Sequence, residues 1–346
     1  MIFIPLHRAR MGITRVELIT TAVIVILIVG ILLPWIYNRR GVSQRNFCES
    51  RQMLVAKAMF LKAVDSPPYP GYREIQVLLE NGQPVETSWV FPVLPYLHGN
   101  GSDVAEKLKT EMVSELAKEE KLQEFRSGPY RPTFENYGQD GRKSGAGIPD
   151  YIAELVCPES DKRPTESISQ PMSFVVNCGM PDQKTTQGPL DHLPNGIFFD
   201  RVAKSQLMTV DYLMEHDGLE NTLMLTENLD AGQSFSFKEH EVGFVWIDSF
   251  DEGFAARDSD RLLGINERIK KRSDEENSMK FARPSSNHPG GVNVAFSDGS
   301  TMFMNEDIDY VAFVQFMTSS GFQVKVAGRQ EFVKEPYRLI DDADQK

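Results

Sequence analysis

The sequence predicts an α+β protein in which one long N-terminal helix precedes an antiparallel, β-rich domain. An almost uninterrupted apolar run covers residues 18–36, and in the stretch 43–63 apolar residues recur three and four positions apart. From residue 151 onwards, short apolar runs alternate with turn residues. The first two patterns are typical of helices and the third of strands.

Composition limits the classes of function. The chain has 346 residues and a net charge of −12, which argues against a nucleic-acid partner because such proteins present a basic face. No glycine-rich nucleotide motif and no metal-binding spacing occurs, so we expect no cofactor and no metal. None of the six histidines lies in a recognisable nucleophile motif, and the sequence therefore predicts no catalytic residues.

The apolar run is long enough for a helix that crosses a bilayer, and we predict a transmembrane segment over 13–37. Glu17 lies at its start, where a charge is costly unless it is paired. A secretory signal peptide and a plain membrane anchor are the alternatives. Basic residues flank both sides of the run, and the positive-inside rule alone would place the large domain in the cytoplasm.

The start of this segment carries a more specific pattern. Gly12-Ile13-Thr14-Arg15-Val16-Glu17, followed by the apolar run, resembles the processing site of prepilins, the family of type IV pilins and type II secretion pseudopilins. The resemblance implies a leader over 1–12, cleavage after Gly12 by a prepilin peptidase and methylation of Ile13. It also implies that Glu17 pairs with the new amino group and that the bulk of the chain lies outside the cytoplasm, held by a single pass through the inner membrane. Ile13 and Arg15 depart from the family pattern, which usually has phenylalanine and an apolar residue.

Residues 38–65 read as the soluble extension of this helix, kinked at Pro34 and ended by Asp65-Ser66-Pro67-Pro68. Residues 66–150 are predicted to be irregular, with a short strand near 89–91. A helical insertion is expected at 103–125, where acidic residues at the start have the form of an N-terminal cap.

Residues 151–334 form the predicted β-rich domain, and 335–346 an acidic tail. The stretch 267–287 is highly charged and predicts an exposed loop. Strands are expected at the five apolar runs 152–156, 173–177, 196–199, 223–226 and 243–247.

A hairpin over 292–304 is the clearest element of this domain. Asp298-Gly299 between two alternating runs is a strong hairpin signal. A two-residue turn would pair Phe296 with Thr301 and Val294 with Phe303. A short helix at 308–318 should follow.

Several motifs together resemble a prepilin-type family that is abundant in planctomycete bacteria and ends in a His-x9-Asp-Gly signature. The matching residues are His288 with Asp298-Gly299, Cys157-Pro158, the stretch Asn195-Gly196-Ile197-Phe198-Phe199, and the group Asp217, Gly218, Asn221, Thr222 and Glu227. Glu220 departs from the family's serine. The biochemical role of that family is undefined. The resemblance implies a pilin-like architecture, with the long helix laid on an antiparallel sheet.

The cysteines and the signature residues suggest structural roles. Cys157 and Cys178 could form a disulfide, which fits an oxidising compartment, whereas two buried free thiols are the alternative. In either case Cys48 is left over. An extended strand separates His288 from Asp298 by too much for a shared metal ion. We expect Asp298 to shape the turn and His288 to bond the backbone, with calcium bound by carboxylates as the alternative: Asp248, Asp251, Glu306, Asp307 and Asp309.

The favoured function is that of a non-enzymatic pilin-like or pseudopilin-like protein. Its expected partners are prepilin peptidase, the lipid bilayer and other pilin-like subunits. One alternative is a membrane-tethered module that binds glycan or protein without polymerising. A tethered hydrolase is the least favoured.

Overall fold

The computed structural model describes residues 15–78, 84–97, 152–160, 162, 171–182, 191–202, 206–234, 236–247, 263–267 and 278–324. The chain divides into two compact units, Met1–Gln44 and Arg45–Lys346. The predicted leader, the helical insertion at 103–125 and the acidic tail lie outside the described residues.

Helix α1 (Arg15–Asp65) begins in the first unit and ends in the second. In the first unit its large apolar side chains from Val16 to Val29 are exposed by 45–69%. Among the helices of the described part, none combines the length and the apolar content that crossing a bilayer requires. The predicted span 13–37 starts before the described part, and the side chains of 31–40 also lie outside it.

The second unit is built on a five-stranded mixed sheet. Its strands are β3 (Phe174–Gly179), β4 (Leu223–Glu227), β5 (Gly243–Val245), β6 (Gly291–Phe296) and β7 (Thr301–Asn305). Their order is β5-β3-β4-β6-β7, and every neighbouring pair is antiparallel except β3 and β5. The predicted purely antiparallel sheet is therefore wrong at one edge, where the short segment β5 returns in the direction of β3.

The second half of α1 packs on one face of this sheet. Gln52 is fully buried, and its Nε2 donates to the carbonyl oxygens of Leu225 at 3.0 Å and Asn293 at 3.1 Å, on β4 and β6. Closer to the edge, Glu49 accepts a hydrogen bond from Thr301 on β7 at 3.1 Å. The apolar positions on this side of the helix recur at helical spacing, which explains why it buries one stripe.

The opposite face of the sheet carries helix α5 (Tyr310–Met317), close to the predicted helix at 308–318. The rings of Phe296 on β6 and Phe316 on α5 lie edge to face, 5.7 Å apart. Asn177 on β3 donates from Nδ2 to the carbonyl of Met317, the last residue of α5, at 2.7 Å. With helices on both sides, β3, β4 and β6 are buried along their whole length.

The β6–β7 hairpin is confirmed, but its predicted register is wrong by one residue. Val294 faces Met302 and Ala295 faces Thr301. The amide of Gly299 donates to the carbonyl of Phe296, and Gly299 has a φ of 84°. This geometry is a tight turn followed by a left-handed glycine, which adds one residue to the loop.

Residues 66–150 are more ordered than predicted in their described part. They contain the antiparallel pair β1 (Arg73–Leu78) and β2 (Pro84–Ser88), followed by helix α2 (Val90–Leu97). The expected strand at 89–91 is thus the start of a helix. Trp89 directly precedes this helix, and its fully buried indole donates from Nε1 to the carbonyl of Val242 at 3.1 Å.

The remaining predictions for the domain have mixed outcomes. Strands are confirmed at 173–177, 223–226 and 243–247, whereas Ala153–Leu155 is a 3-10 helix and no strand forms at 196–199. The stretch 267–287 is not wholly an exposed loop, because residues 281–285 are buried. Two further short helices are α3 (Val210–Glu215) and α4 (Glu239–Val242).

Candidate functional site

Four buried side chains with metal-binding or redox chemistry meet between α1 and the sheet. They are Cys48, Cys157, Glu227 and His288, and we call them the four-residue cluster. Their ligand atoms all lie within 4.8 Å of one another. None of the four residues is more than 3% exposed.

Each member reaches the cluster from a different element. Cys48 lies one helical turn before Gln52 on the buried side of α1. Cys157 immediately precedes Pro158, which begins a short 3-10 helix. Glu227 is the last residue of β4, and His288 lies in the loop that leads into β6. The cluster therefore depends on the tertiary fold, since its members are spread over 241 positions.

His288 is at the centre of the polar contacts. Its Nε2 lies 3.1 Å from Oε1 of Glu227 and 3.4 Å from Sγ of Cys157. The other carboxylate oxygen of Glu227 accepts the backbone N–H of Asn293 at 2.9 Å. The amide of His288 donates to Oγ of Ser286 at 3.1 Å, which fixes the loop on which the ring is carried.

The disulfide in this structure joins Cys48 to Cys157, with the Cα atoms 5.0 Å apart. The predicted Cys157–Cys178 bond is wrong. Cys178 is a free, buried thiol on β3, and burial raises its pKa well above the ordinary value. The reason is spatial: α1 brings Cys48 onto the same face of the sheet as Cys157, although 109 residues separate them in sequence.

The histidine and the aspartate of the His-x9-Asp-Gly signature have different structural roles. Asp298 is exposed in the hairpin turn, where its Oδ1 accepts the N–H of Ser300 at 2.8 Å, as predicted. Within the described part of the chain, the ring of His288 contacts the side chains of Glu227 and Cys157 and not the backbone, so the expected backbone bond is wrong. The whole of β6 separates His288 from the turn.

The Asp217-Gly218 motif forms a turn before β4. Oδ2 of Asp217 accepts the N–H of Gly321 at 2.8 Å, and Gly218 has a φ of 89°. Asn221 donates to the carbonyl of Asp217 at 3.0 Å, and Thr222 donates to that of Gly218 at 2.9 Å. These contacts hold the turn that leads into β4, so this part of the motif has a structural role. Glu227 lies at the other end of β4 and belongs to the four-residue cluster.

The predicted processing residues cannot be placed in a site. Gly12 and Ile13 lie outside the described residues, as does the side chain of Glu17, whose backbone belongs to α1.

Of the carboxylates considered for calcium, the three that the structure describes, Glu306, Asp307 and Asp309, form no group that could hold a metal ion. Asp248 and Asp251 lie outside the described residues. Glu306 accepts a hydrogen bond from Asn266 at 2.7 Å, and Asp309 caps α5 by accepting the N–H groups of Val311 and Ala312.

A second group of buried acids was not predicted from the sequence. The hydroxyl of Tyr72 donates a hydrogen bond to the carboxylate of Asp182. The backbone N–H of Asp182 in turn donates to a carboxylate oxygen of Glu239 at 3.2 Å. Burial raises the pKa of Asp182 to about 6, and it raises the pKa values of Asp191 and Glu239 well above their ordinary range. The acids lie far apart in sequence, and no spacing rule would have grouped them.

A polar cleft of about 1040 Å³ opens beside the cluster, and His288 forms part of its wall. Arg283 lies in the same wall, where its Nη1 contacts Oδ2 of Asp230 at 2.9 Å and its Nε and Nη2 donate to the carbonyl of Glu267. The lining is mixed in charge, with further carboxylates from Glu306 and Asp307.

Sequence reasoning identified Cys157, Glu227 and His288 as separate motif residues but did not bring them together. The available signal was that all three belong to the motifs on which the family resemblance rests. Cys48 carried no such signal, because it lies outside every motif and was set aside as unpaired.

These features define the class of protein: an α+β domain whose N-terminal helix packs on a mixed sheet and covers a buried Cys–Cys–Glu–His cluster. The chain belongs to the family described as protein of unknown function (DUF1559), which matches residues 50–310. That range contains Cys157, Glu227, His288 and Asp298, and it begins two residues after Cys48. No curated protein and no solved structure matches the chain.

Proposed function

We propose that this protein is a non-enzymatic, membrane-anchored pilin-like protein of the cell envelope. Residues 1–12 are a leader that prepilin peptidase removes, residues 13–37 hold the chain in the inner membrane, and the domain lies outside the cytoplasm. The mature protein then associates with other pilin-like subunits in a type II secretion or type IV pilus-like system. It is in this sense a member of the planctomycete prepilin-type group that its motifs resemble.

The observation that carries the proposal is the arrangement of α1 in the second unit. The helix packs across β4, β6 and β7, where Gln52 and Glu49 bond to the three strands, so the first element of the domain is held on its sheet. This is the construction expected of a pilin-like subunit, in which the N-terminal helix both belongs to the domain and leads towards the membrane.

A second line of support comes from the cysteines. The structure joins Cys48 to Cys157, and disulfides persist in oxidising compartments outside the cytoplasm. This agrees with the leader motif and opposes the location that the basic residues around the apolar run favour on their own.

The proposal is tested by mass spectrometry of the amino terminus of the native protein. We expect an N-methylated Ile13 as the first residue. A chain that still begins at Met1 in cells would refute processing.

Co-assembly is tested by the substitution Glu17→Gln, which removes the charge and keeps the shape. Cross-linking between subunits in intact cells should be lost, because the carboxylate no longer pairs with an amino group in lipid. Glu49→Gln, in the domain part of the same helix, should leave cross-linking unchanged. Equal cross-linking of the Glu17 variant and the native chain would contradict assembly.

The polar cleft beside His288 favours a second candidate, a tethered module that binds a glycan or protein and does not polymerise. Carboxylates and serine hydroxyls in its wall suit a hydroxyl-rich ligand. For this function, Glu17→Gln would leave oligosaccharide binding unchanged, whereas Asp307→Asn in the cleft would weaken it.

A further inference from the structure

The four-residue cluster has the donor set of a zinc site. Zinc in proteins is bound by cysteine thiolates, histidine nitrogens and carboxylate oxygens, most often four in number and tetrahedral. We propose that, when the Cys48–Cys157 disulfide is reduced, Cys48, Cys157, Glu227 and His288 bind one Zn²⁺ ion. This proposal does not rest on the pilin-like function, and the site forms only where a dithiol keeps Cys48 and Cys157 reduced.

The present positions of the side chains already approach the required geometry. With metal–ligand distances of 2.0–2.3 Å, neighbouring ligands of a tetrahedral zinc ion lie about 3.3–3.8 Å apart. Nε2 of His288 lies 3.1 Å from Oε1 of Glu227 and 3.4 Å from Sγ of Cys157. The two sulfur atoms must separate, and reduction removes the bond that holds them together.

Supporting contacts orient the ligands towards the centre of the cluster. The backbone N–H of Asn293 donates to Oε2 of Glu227 at 2.9 Å, and Nδ2 of Asn293 donates at 3.4 Å to Oε1, the oxygen that faces His288. Contacts of this kind fix the orientation of metal-binding side chains and raise affinity.

The electrostatic surroundings also suit a zinc site. Two thiolates, one carboxylate and one neutral imidazole give a zinc complex of net charge −1. Arg51 donates from Nη1 to the carbonyl of Val156, next to Cys157, at 2.6 Å and places a positive charge beside it.

The redox step is balanced by a dithiol reductant. Two electrons and two protons from the dithiol convert the disulfide into two thiols, and the dithiol itself becomes a disulfide. Zinc then displaces the two thiol protons, since the thiolate is the ligand form. The wall that His288 shares with the polar cleft provides a route for the ion to a site that is otherwise buried.

The test uses full-length protein in detergent, reduced with excess dithiol, freed of the reductant under nitrogen and titrated with Co²⁺ as a spectroscopic probe. We expect one Co²⁺ per chain, with a thiolate-to-cobalt charge-transfer band and the visible bands of tetrahedral coordination. Zn²⁺ should displace the probe. The oxidised protein should show neither band.

Variants assign the ion to the cluster. The double substitution Cys48→Ser with Cys157→Ser should abolish the charge-transfer band, and Glu227→Gln should weaken binding by at least about tenfold, in line with the loss of groups at metal sites. Cys178→Ser is the matched control, because that thiol lies on β3 outside the cluster, and it should bind like the native chain.

A measurement on the native sequence tests the same site without depending on whether the variants fold. Zn²⁺ should protect Cys48 and Cys157 of the reduced native protein from alkylation, as mapped by peptide mass spectrometry. The proposal is overturned by a reduced, folded chain that takes up no metal, by binding that survives the double serine substitution, or by a disulfide that is reduced only when the protein unfolds.

Discussion

Asp191 shows how a single buried carboxyl group makes the stability of this domain depend on pH. The residue is 3% exposed, and its Oδ1 accepts the backbone N–H of His192 at 2.7 Å. Its Oδ2 has no hydrogen-bond partner among the described residues. Burial, followed by the nearby charge of Asp182, raises the pKa of Asp191 well above 3.8. Asp191 therefore binds its proton more tightly in the folded state than in the unfolded chain.

The consequence is a stability that falls as the pH rises. From about pH 4 up to the folded-state pKa, the folded state binds more protons than the unfolded state, so the free energy of unfolding decreases. We predict that Asp191→Asn flattens this decrease and raises the free energy of unfolding at pH 7 relative to the native chain, because the amide cannot ionise.

Denaturant unfolding between pH 4 and pH 7 measures this difference. The exposed Asp211→Asn serves as the control and should change the free energy of unfolding by less than about 0.5 kcal/mol at every pH. A variant at residue 191 with the pH profile of the native chain would show that Asp191 ionises normally in the folded state.

Lys162 has the opposite effect on the pH dependence of stability. Its Nζ donates to the carbonyl oxygens of Met172, Asn228 and Ala231, and burial lowers its pKa to about 7. Above pH 7 the unfolded chain binds more protons at this residue, so its contribution to stability rises with pH up to its ordinary pKa of 10.5.

At the scale of elements, the β6–β7 hairpin shows how a turn determines register. Gly299 has a φ of 84°, and a Cβ atom at this position would lie 3.2 Å from Cγ of Lys57 on α1. The turn is thus restricted both by its own backbone and by the helix that passes beneath it.

We predict that Gly299→Ala lowers the free energy of unfolding by about 1–2 kcal/mol, the cost of a left-handed conformation for a residue with a Cβ atom. Gly299→Asn should cost less, because asparagine adopts this conformation more readily. Thermal unfolding of the two variants provides the comparison. If alanine and asparagine are equally destabilising, the contact with Lys57 and not the backbone angle is responsible.

At the scale of the whole molecule, the Cys48–Cys157 bond joins the helix that begins the domain to a segment 109 residues later. Such a long closed loop removes considerable entropy from the unfolded chain. The disulfide is therefore a larger contributor to stability than any single contact between α1 and the sheet.

We predict that Cys157→Ala lowers the free energy of unfolding by about 2–5 kcal/mol under oxidising conditions. Cys178→Ala also removes one buried sulfur atom, but one that forms no cross-link. It should lower the free energy of unfolding by about 1–2 kcal/mol, as for the loss of a small buried group. Peptide mapping without reductant should find Cys48 linked to Cys157. A peptide containing Cys157 linked to Cys178 would contradict the structure.

Local patterns in the sequence were sufficient for much of the fold. The amphipathic spacing after residue 43 predicted the helix that packs on the sheet, and the apolar runs at β3, β4 and β5 predicted those strands. The Asp298-Gly299 turn was also recognised, since turn chemistry acts over a few residues. These elements are determined locally because the residues that set the burial pattern of each helix or strand, and the residues that form each turn, are close together in the sequence.

Other elements and contacts were decided only by tertiary structure. The parallel pairing of β5 with β3, the helix at Val90–Leu97 and the pairing of Cys48 with Cys157 depend on residues far apart in sequence. The four-residue cluster is the clearest case. The sequence by itself determined which of its residue types were present and placed three of them in motifs. Only the tertiary packing of α1, β4 and the segments that carry Cys157 and His288 brought their ligand atoms within 4.8 Å of one another.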